Sequence, residues 1–315
     1  MGKIIVGVDE SPGSSDAIAL ASSLARIMGS TLMLVNVDPS RAVGDALLER
    51  MRNSLGDETV EVAAIASASP AHALHDLSRE EDAGLVVVGS THVGRAGRVL
   101  PGSTAERLLH GSPCPVAVAP KGYAQRSGHE LATIGCGYDA SLSAAHALET
   151  AHRVAAATGA RLRVIRAFTP LAFDTPPDSV LLGGLASYND VLHERASREL
   201  TAAIAKIDAE LGAEAEFRIG DAVRILSEAS EQLDLLVLGS RGYGPLHAVM
   251  VGGVAGRLVR DAACPVIVVP RGAGHTEANS LFATEYTGSS KRVRVPVQPG
   301  VHRMQASAVL VKAQP

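Results

Sequence analysis

Residues 85–120 read LVVVGSTHVGRAGRVLPGSTAERLLHGSPCPVAVAP, and residues 235–270 read LLVLGSRGYGPLHAVMVGGVAGRLVRDAACPVIVVP. The two stretches align without a gap at an offset of 150, and 15 of their 36 positions are identical. Each opens on an apolar run closed by glycine, as expected of a strand buried on both faces of a parallel sheet. Each then crosses a Gly-rich loop to a short helical segment starting at Gly102 or Gly252, and ends on Cys-Pro-Val and a second apolar run. A repeated unit of this length means two copies of one domain.

Outward from that core, IIVGVDES (4–11) aligns on IGCGYDAS (134–141), now at an offset of 130. The second copy therefore carries about 20 extra residues between its first and fourth strands, most of them in the stretch around 169–188. In the first copy the pattern predicts strands at 3–8, 31–37, 59–66, 85–89 and 116–119, with helices at 12–28, 41–55, 70–82 and 102–110. Ser11 reads as an N-cap with Pro12 at the first helical position, and Gly29 closes that helix. In the second copy the strands fall at 132–138, 161–167, 214–219, 235–239 and 266–269, and the helices at 141–158, 187–211, 221–232 and 252–261. Five strands alternating with four helices in each copy predict an α/β protein of two tandem open five-stranded parallel sheets, with helices on both faces.

The length of 315 residues agrees with two domains, placed at 1–121 and 131–271 around the polar linker KGYAQRSGHE (121–130). Residues 272–315 have scattered Gly, Ser and Pro and no period, and read as a disordered tail. A second reading has KRVRVPV (291–297) adding a strand to an exposed sheet edge. Aromatic residues are 3% of the chain and Trp is absent, so Ala, Val, Leu and Ile must fill the core. A net charge of −4 argues against a nucleic-acid partner. No apolar run approaches the length of a membrane span, so no membrane partner is expected. Three cysteines without metal-ligand spacing read as reduced, buried thiols of a cytoplasmic protein.

In open parallel sheets ligands bind beyond the carboxyl ends of the strands, where the strand order reverses. Asp9 and Asp139 end the first strand of each copy, and Gly89 and Gly239 end the fourth. The helix starts at Gly102 and Gly252 offer unpaired N–H groups and the positive end of a dipole. Glycine there lets an anion reach the backbone, and Ser103 and Thr104 can add hydroxyl donors. The chemistry points to a phosphate.

With these residues in place the sequence resembles the universal stress protein family over residues 3–120 and 132–270. The resemblance rests on GVD (7–9), GYD (137–139), the apolar strand 32–37, SASPAHAL (67–74) and Cys-Pro-Val before each last strand. It implies a Rossmann-like fold of the adenine-nucleotide alpha-hydrolase type. It also implies the loop of the ATP-binding members, Gly-x2-Gly-x9-Gly-(Ser/Thr). The first copy reads Gly89-x2-His92-x9-Gly102-Ser103, with His for the second Gly. The second reads Gly239-x2-Gly242-x9-Gly252-Gly253, with Gly for the hydroxyl residue. His92 either crowds a phosphate, donates to it, or is an exposed loop histidine. Losing one hydroxyl at Gly253 removes about 1 kcal/mol, which weakens a site without abolishing it. The resemblance therefore implies an adenine nucleotide in at least one copy, ATP with or without Mg2+. Adenine would lie near Val35 and Val37, first of all core residues, or near 165–167 in the second copy.

Asp9 and Asp139 have a second reading as caps of the following helix, although Ser11 and Ser141 suit that task. Cys114 and Cys264 occupy equivalent positions and are either buried structural thiols or a redox pair. His72, His75 and His110 read as surface residues. The segment 168–190 reads as a long surface loop, with a lid over the second site as the alternative. The apolar last strands VAVAP and VIVVP invite edge pairing. The family resemblance makes this edge an interface, so the chain would form an intramolecular pseudo-dimer, with a homodimer as a further step. Three functions follow. The first is a stress-responsive ATP-binding regulator that signals to an unknown protein partner through nucleotide occupancy. The others are a scaffold that has lost nucleotide binding and a slow ATP hydrolase.

Overall fold

The computed structural model of the chain describes residues 2–39, 44–57, 59–90, 99, 102–126, 130–170, 179–207, 212–240 and 253–270. His92, Gly242, Gly252 and the whole tail 272–315 lie outside the described residues.

The first repeat runs β1 (Lys3–Val8), α1 (Pro12–Met28), β2 (Thr31–Val37), α2 (Gly44–Leu55), β3 (Glu61–Ile65), α3 (Pro70–Glu80), β4 (Ala83–Gly89), α4 (Ser103–Gly111) and β5 (Val116–Ala119). The second runs β6 (Thr133–Gly137), α5 (Leu142–Thr158), β7 (Arg161–Phe168), α6 (Ser179–Ile204), β8 (Glu214–Ile219), α7 (Ala222–Ser230), β9 (Leu235–Gly239), α8 (Gly253–Asp261) and β10 (Val266–Val269). Gly29 and Gly159 end α1 and α5 at φ of 60° and 70°, the left-handed conformation that glycine takes without strain.

Within each repeat the five strands are parallel, and the repeats join edge to edge. The order is β3-β2-β1-β4-β5-β10-β9-β6-β7-β8 in one ten-stranded sheet. Only the central pair is antiparallel, with Val116, Ala117 and Val118 opposite Val268, Ile267 and Val266. The apolar last strands thus cover each other, and the chain pairs its own two copies.

Strand alternation divides the core in two. Ile4 and Val6 face the side of α1, α2 and α5, together with Leu20, Leu34, Ile134 and Leu162. Ile5 faces the other side, under α3, α4, α7 and α8, with Leu74, Val86, Leu108, Leu236 and Leu258. Each core contains residues of both repeats. Polar contacts add to the seam. Arg260 of α8 meets Glu106 of α4 at 2.7 Å, and the Val99 amide donates to the Ala262 carbonyl at 2.9 Å.

Two expectations change. The stretch 168–190 is not one long loop, because β7 continues to Phe168 and α6 begins at Ser179. The extra residues of the second copy lengthen this helix to 26 residues, against 12 in α2. Residues 171–178 lie outside the described residues, so of the expected loop or lid only the helical part is seen. The polar linker is also partly packed. Asp16, buried on α1, accepts from the Gly122 and Ala124 amides at 2.8 Å each, and Tyr123 between them is buried. One carboxylate thereby fixes the chain as it leaves β5.

Ile267, fully buried in the seam, belongs to the core that covers one face of both repeats. Ile267→Ala is expected to cost about 2–5 kcal/mol, from lost burial plus the cavity left behind. Urea denaturation checks this; a loss confined to one repeat would contradict a shared core.

Candidate functional site

β1 lies between β2 and β4, and β6 lies between β7 and β9, so each repeat reverses its strand order there. A pocket opens at the carboxyl ends of the strands at both places, enclosing about 330 Å³ in the first repeat and about 390 Å³ in the second. Both volumes lie within the range of small-molecule sites.

The first pocket is graded from apolar to polar. Val35, Val37, Pro70 and Leu74 line it toward β2 and α3, while Ser14, Gly102, Ser103 and Thr104 line it toward the starts of α1 and α4. Gly102 is the N-cap of α4, so no side chain at that position shields the first turn. The exposed first-turn amides and the two hydroxyls make this end a donor surface.

Asp9 stands on the wall between these ends. Its Oδ1 accepts from the Ser11 amide at 2.9 Å, from the Ser11 hydroxyl, and from the Ser14 hydroxyl at 2.8 Å. The expected side-chain cap by Ser11 is not formed; its hydroxyl turns back to donate to Asp9. In the second repeat Ser141 does cap, accepting from the Ala144 amide at 3.2 Å, while Asp139 accepts from the Ser141 amide at 3.0 Å. Burial pushes the Asp9 carboxyl up, but the hydrogen bonds from Ser11 and Ser14 outweigh it and hold the group below its ordinary value. Asp9 is therefore an ionised carboxylate fixed at the pocket wall.

The glycines ending β4 and β9 have a packing reason. A Cβ on Gly89 would lie 2.1 Å from the Gly13 carbonyl oxygen, and one on Gly239 would lie 2.5 Å from the Ser143 carbonyl oxygen. Gly13 is equally confined, 2.5 Å from the Ser90 carbonyl oxygen. The first turn of α1 or α5 thus sits directly on the end of the fourth strand, and this contact shapes the pocket floor.

Of the residues expected at the site, Asp9, Val37, Gly89, Gly102, Ser103 and Thr104 line the first pocket. Asp139, Gly239 and Gly253 line the second. His92, Gly242 and Gly252, as noted, are not among the described residues. The sequence reading missed Ser14 in the first pocket and Tyr138, Thr169, Asp221 and Arg257 in the second. Asp221 had a readable signal, since it caps α7 by accepting from the Arg224 amide at 2.9 Å. Arg257 had none, because its place in the pocket depends on its side chain folding back to the Gly253 carbonyl at 2.8 Å.

Cys114 and Cys264 are both buried and free, with thiols pushed up by burial to about 11 and about 12. This fits structural thiols and not a redox pair. On α3, Asp76 bridges His72 and His75 at 3.3 and 3.0 Å, away from the pocket lining. Among the described residues no group of three or more His, Cys, Asp or Glu is arranged to hold a metal ion, and no helix is long and apolar enough to cross a membrane.

The fold and its paired pockets define a tandem α/β protein with one pocket at each switch point. The chain belongs to the universal stress protein family, which it matches over residues 1–120 and again over 131–270. It is 31% identical over 201 residues to universal stress protein Rv2319c of Mycobacterium tuberculosis H37Rv, covering 62% of this chain and 68% of that one. It is 28% identical over 295 residues to universal stress protein Rv2623 of the same strain, covering 84% and 95%. The solved structure of a universal stress protein from Archaeoglobus fulgidus DSM 4304 shares the fold, with a TM-score of 0.57 at 19% identity over 86% of this chain and 98% of that one.

Two outcomes follow from this geometry. Gly89→Ala should destabilise the fold by about 1–3 kcal/mol through overpacking against Gly13; an unchanged urea midpoint would contradict the contact. For Asp9 the sign follows from its lowered folded value. Its contribution is complete above the unfolded pKa of about 3.9 and is lost as pH falls through the folded value. The stability difference between the native chain and Asp9→Asn should therefore narrow as pH drops from about 5 toward the folded pKa. A difference that stays constant across that range would show that the hydrogen bonds do not favour the ionised form.

Proposed function

We propose that the protein binds an adenine nucleotide, ATP with or without Mg2+, in the pocket of the first repeat, and that occupancy regulates a protein partner in a cytoplasmic stress response. The observation that carries this reading is the grading of that pocket, apolar at one end and rich in donors at the other. Val35, Val37 and Leu74 suit a purine face. Gly102, Ser103 and Thr104, at the start of α4, suit phosphate oxygens. Asp9 suits a ribose hydroxyl or a hydrated Mg2+. Such an ion is commonly carried by the phosphates and one carboxylate, with no dedicated protein cage. Family membership supports the same reading, and three buried, free cysteines fit a reducing compartment.

Regulation requires that bound and free states differ in affinity for the partner. Val99 offers a route, because it bonds to Ala262 of the other repeat. A ligand whose binding shifts Val99 would act on both repeats.

Calorimetric titration of nucleotide-stripped protein with ATP and Mg2+ tests the reading. Gly102→Asp places a carboxylate at the phosphate end and should weaken ATP binding by tenfold or more, roughly the effect of losing one charge-assisted contact. Failure of the stripped native chain to bind ATP would overturn it.

A further inference from the structure

The two pockets share a floor and differ in where their polar groups stand. Gly7, Val35, Leu74 and Ala105 in the first correspond to Gly137, Ile165, Leu226 and Ala255 in the second. At the end formed by the helix starts, the first pocket presents the hydroxyls of Ser103 and Thr104, while the Ser14 hydroxyl is taken up by Asp9. The same three places in the second pocket are Ala144, Gly253 and Val254. Two free hydroxyls and the one that holds Asp9 are thus replaced together in space, although they lie on two separate helices.

At the opposite end the change is reversed. Toward β2 and α3 the first pocket is lined by Val37 and Pro70. Toward β7 and α7 the second is lined by Ala167, Thr169 and Asp221, with Tyr138 in the place of Val8. Thr169 donates to the Gly220 carbonyl at 2.9 Å, which ties the end of β7 to the start of α7. Asp221 already caps α7, and a carboxylate has capacity for further donors. The lining therefore holds two carboxylates, Asp139 and Asp221, where the first pocket has only Asp9 among its described residues. One guanidinium, Arg257, lies at the helix-start end.

Among the described residues, a phosphate chain would meet one guanidinium and no hydroxyl at the helix-start end of this pocket. A sugar would meet two carboxylates able to accept from its hydroxyls. From this reversal we infer that the second pocket takes an adenine nucleoside carrying at most one phosphate, with Arg257 facing that phosphate, so that the two repeats bind different phosphorylation states of one ligand class. The inference rests on the nucleotide reading of the first pocket. Arg257, Asp221 and the pair Gly253–Val254 are then the specificity-determining residues of the second.

Calorimetry on the stripped full-length chain separates the two readings, with ATP, AMP and adenosine as titrants. In the Gly102→Asp chain, AMP and adenosine should still bind while ATP binding weakens by tenfold or more. Arg257→Ala should narrow the preference for AMP over adenosine by about tenfold, the scale of a charge-assisted contact. Asp221→Asn should weaken both ligands, and since Asn caps helices as well as Asp does, α7 stays capped. Restoring the hydroxyls with Gly253→Ser and Val254→Thr should raise ATP affinity at this pocket about tenfold, as two added hydrogen bonds would. ATP binding to two equal sites in the native chain would overturn the inference and leave the proposed function standing. So would a Gly102→Asp chain that binds neither AMP nor adenosine while the native chain binds ATP. Absence of all adenine-nucleotide binding by the native chain would overturn both.

Discussion

The antiparallel pairing of two four-residue strands governs the architecture. Each repeat ends on an apolar strand which, left as an edge, would expose unpaired backbone and valine side chains to water and to other chains. Pairing β5 with β10 removes both edges at once, and the covering helices then pack against a continuous sheet. Both hydrophobic clusters consequently draw residues from the two repeats. The outer edges β3 and β8 are treated differently. Their strands carry charge, with Glu61 bound to Lys3 at 2.7 Å and Glu216 bound to Arg163 at 2.6 Å, which discourages further strand addition.

The seam leaves the pockets accessible. Because it joins the last strand of each repeat, the switch points at β1–β4 and β6–β9 lie one strand away on either side, and their carboxyl ends face solvent. Helices α4 and α8, whose starts form one end of each pocket, cross beside the seam and are linked there by Arg260 and Glu106. The position of each pocket in its repeat and the contact between repeats are thus set by the same short segment of chain.

Much of this was legible in the sequence, because parallel strands buried on both faces announce themselves as unbroken apolar runs. Lys3–Val8 and Leu235–Gly239 have the boundaries expected of them, and the paired repeat fixed the order of all the elements. The region after β7 was not legible. Its Pro and Gly content signals a loop, yet Gly183 and Gly184 fall inside α6, against the low helix propensity of glycine. At the site, backbone-driven features were readable and side-chain-driven ones were not. Glycine at 89 and 102 and aspartate at 9 mark turns and helix starts. Arg257 and Tyr138 reach their pocket only through three-dimensional placement. The glycine signal was also ambiguous in kind, since Gly89 and Gly239 are required by the close approach of a neighbouring helix whether or not a ligand binds.

That ambiguity bears on how duplicated sites diverge. Gly89 and Gly239 cannot change without disturbing the helix start packed on them. Gly7 and Gly137 are confined less strictly, since a Cβ there would lie 2.9 Å from a Leu74 methyl and 2.7 Å from a Leu238 methyl, the ends of side chains that can turn aside. At Gly89 and Gly239, then, the floor of each pocket is fixed by folding and stays alike in the two repeats whether or not a ligand binds. The rim carries no such constraint. Replacing Ser103 by Gly or Thr104 by Val on an exposed or half-exposed first turn removes hydroxyls from the pocket and disturbs little of the packing. A shared floor is thus evidence of a shared fold, while the rim, where the repeats differ most, is free to change the chemistry that each pocket presents.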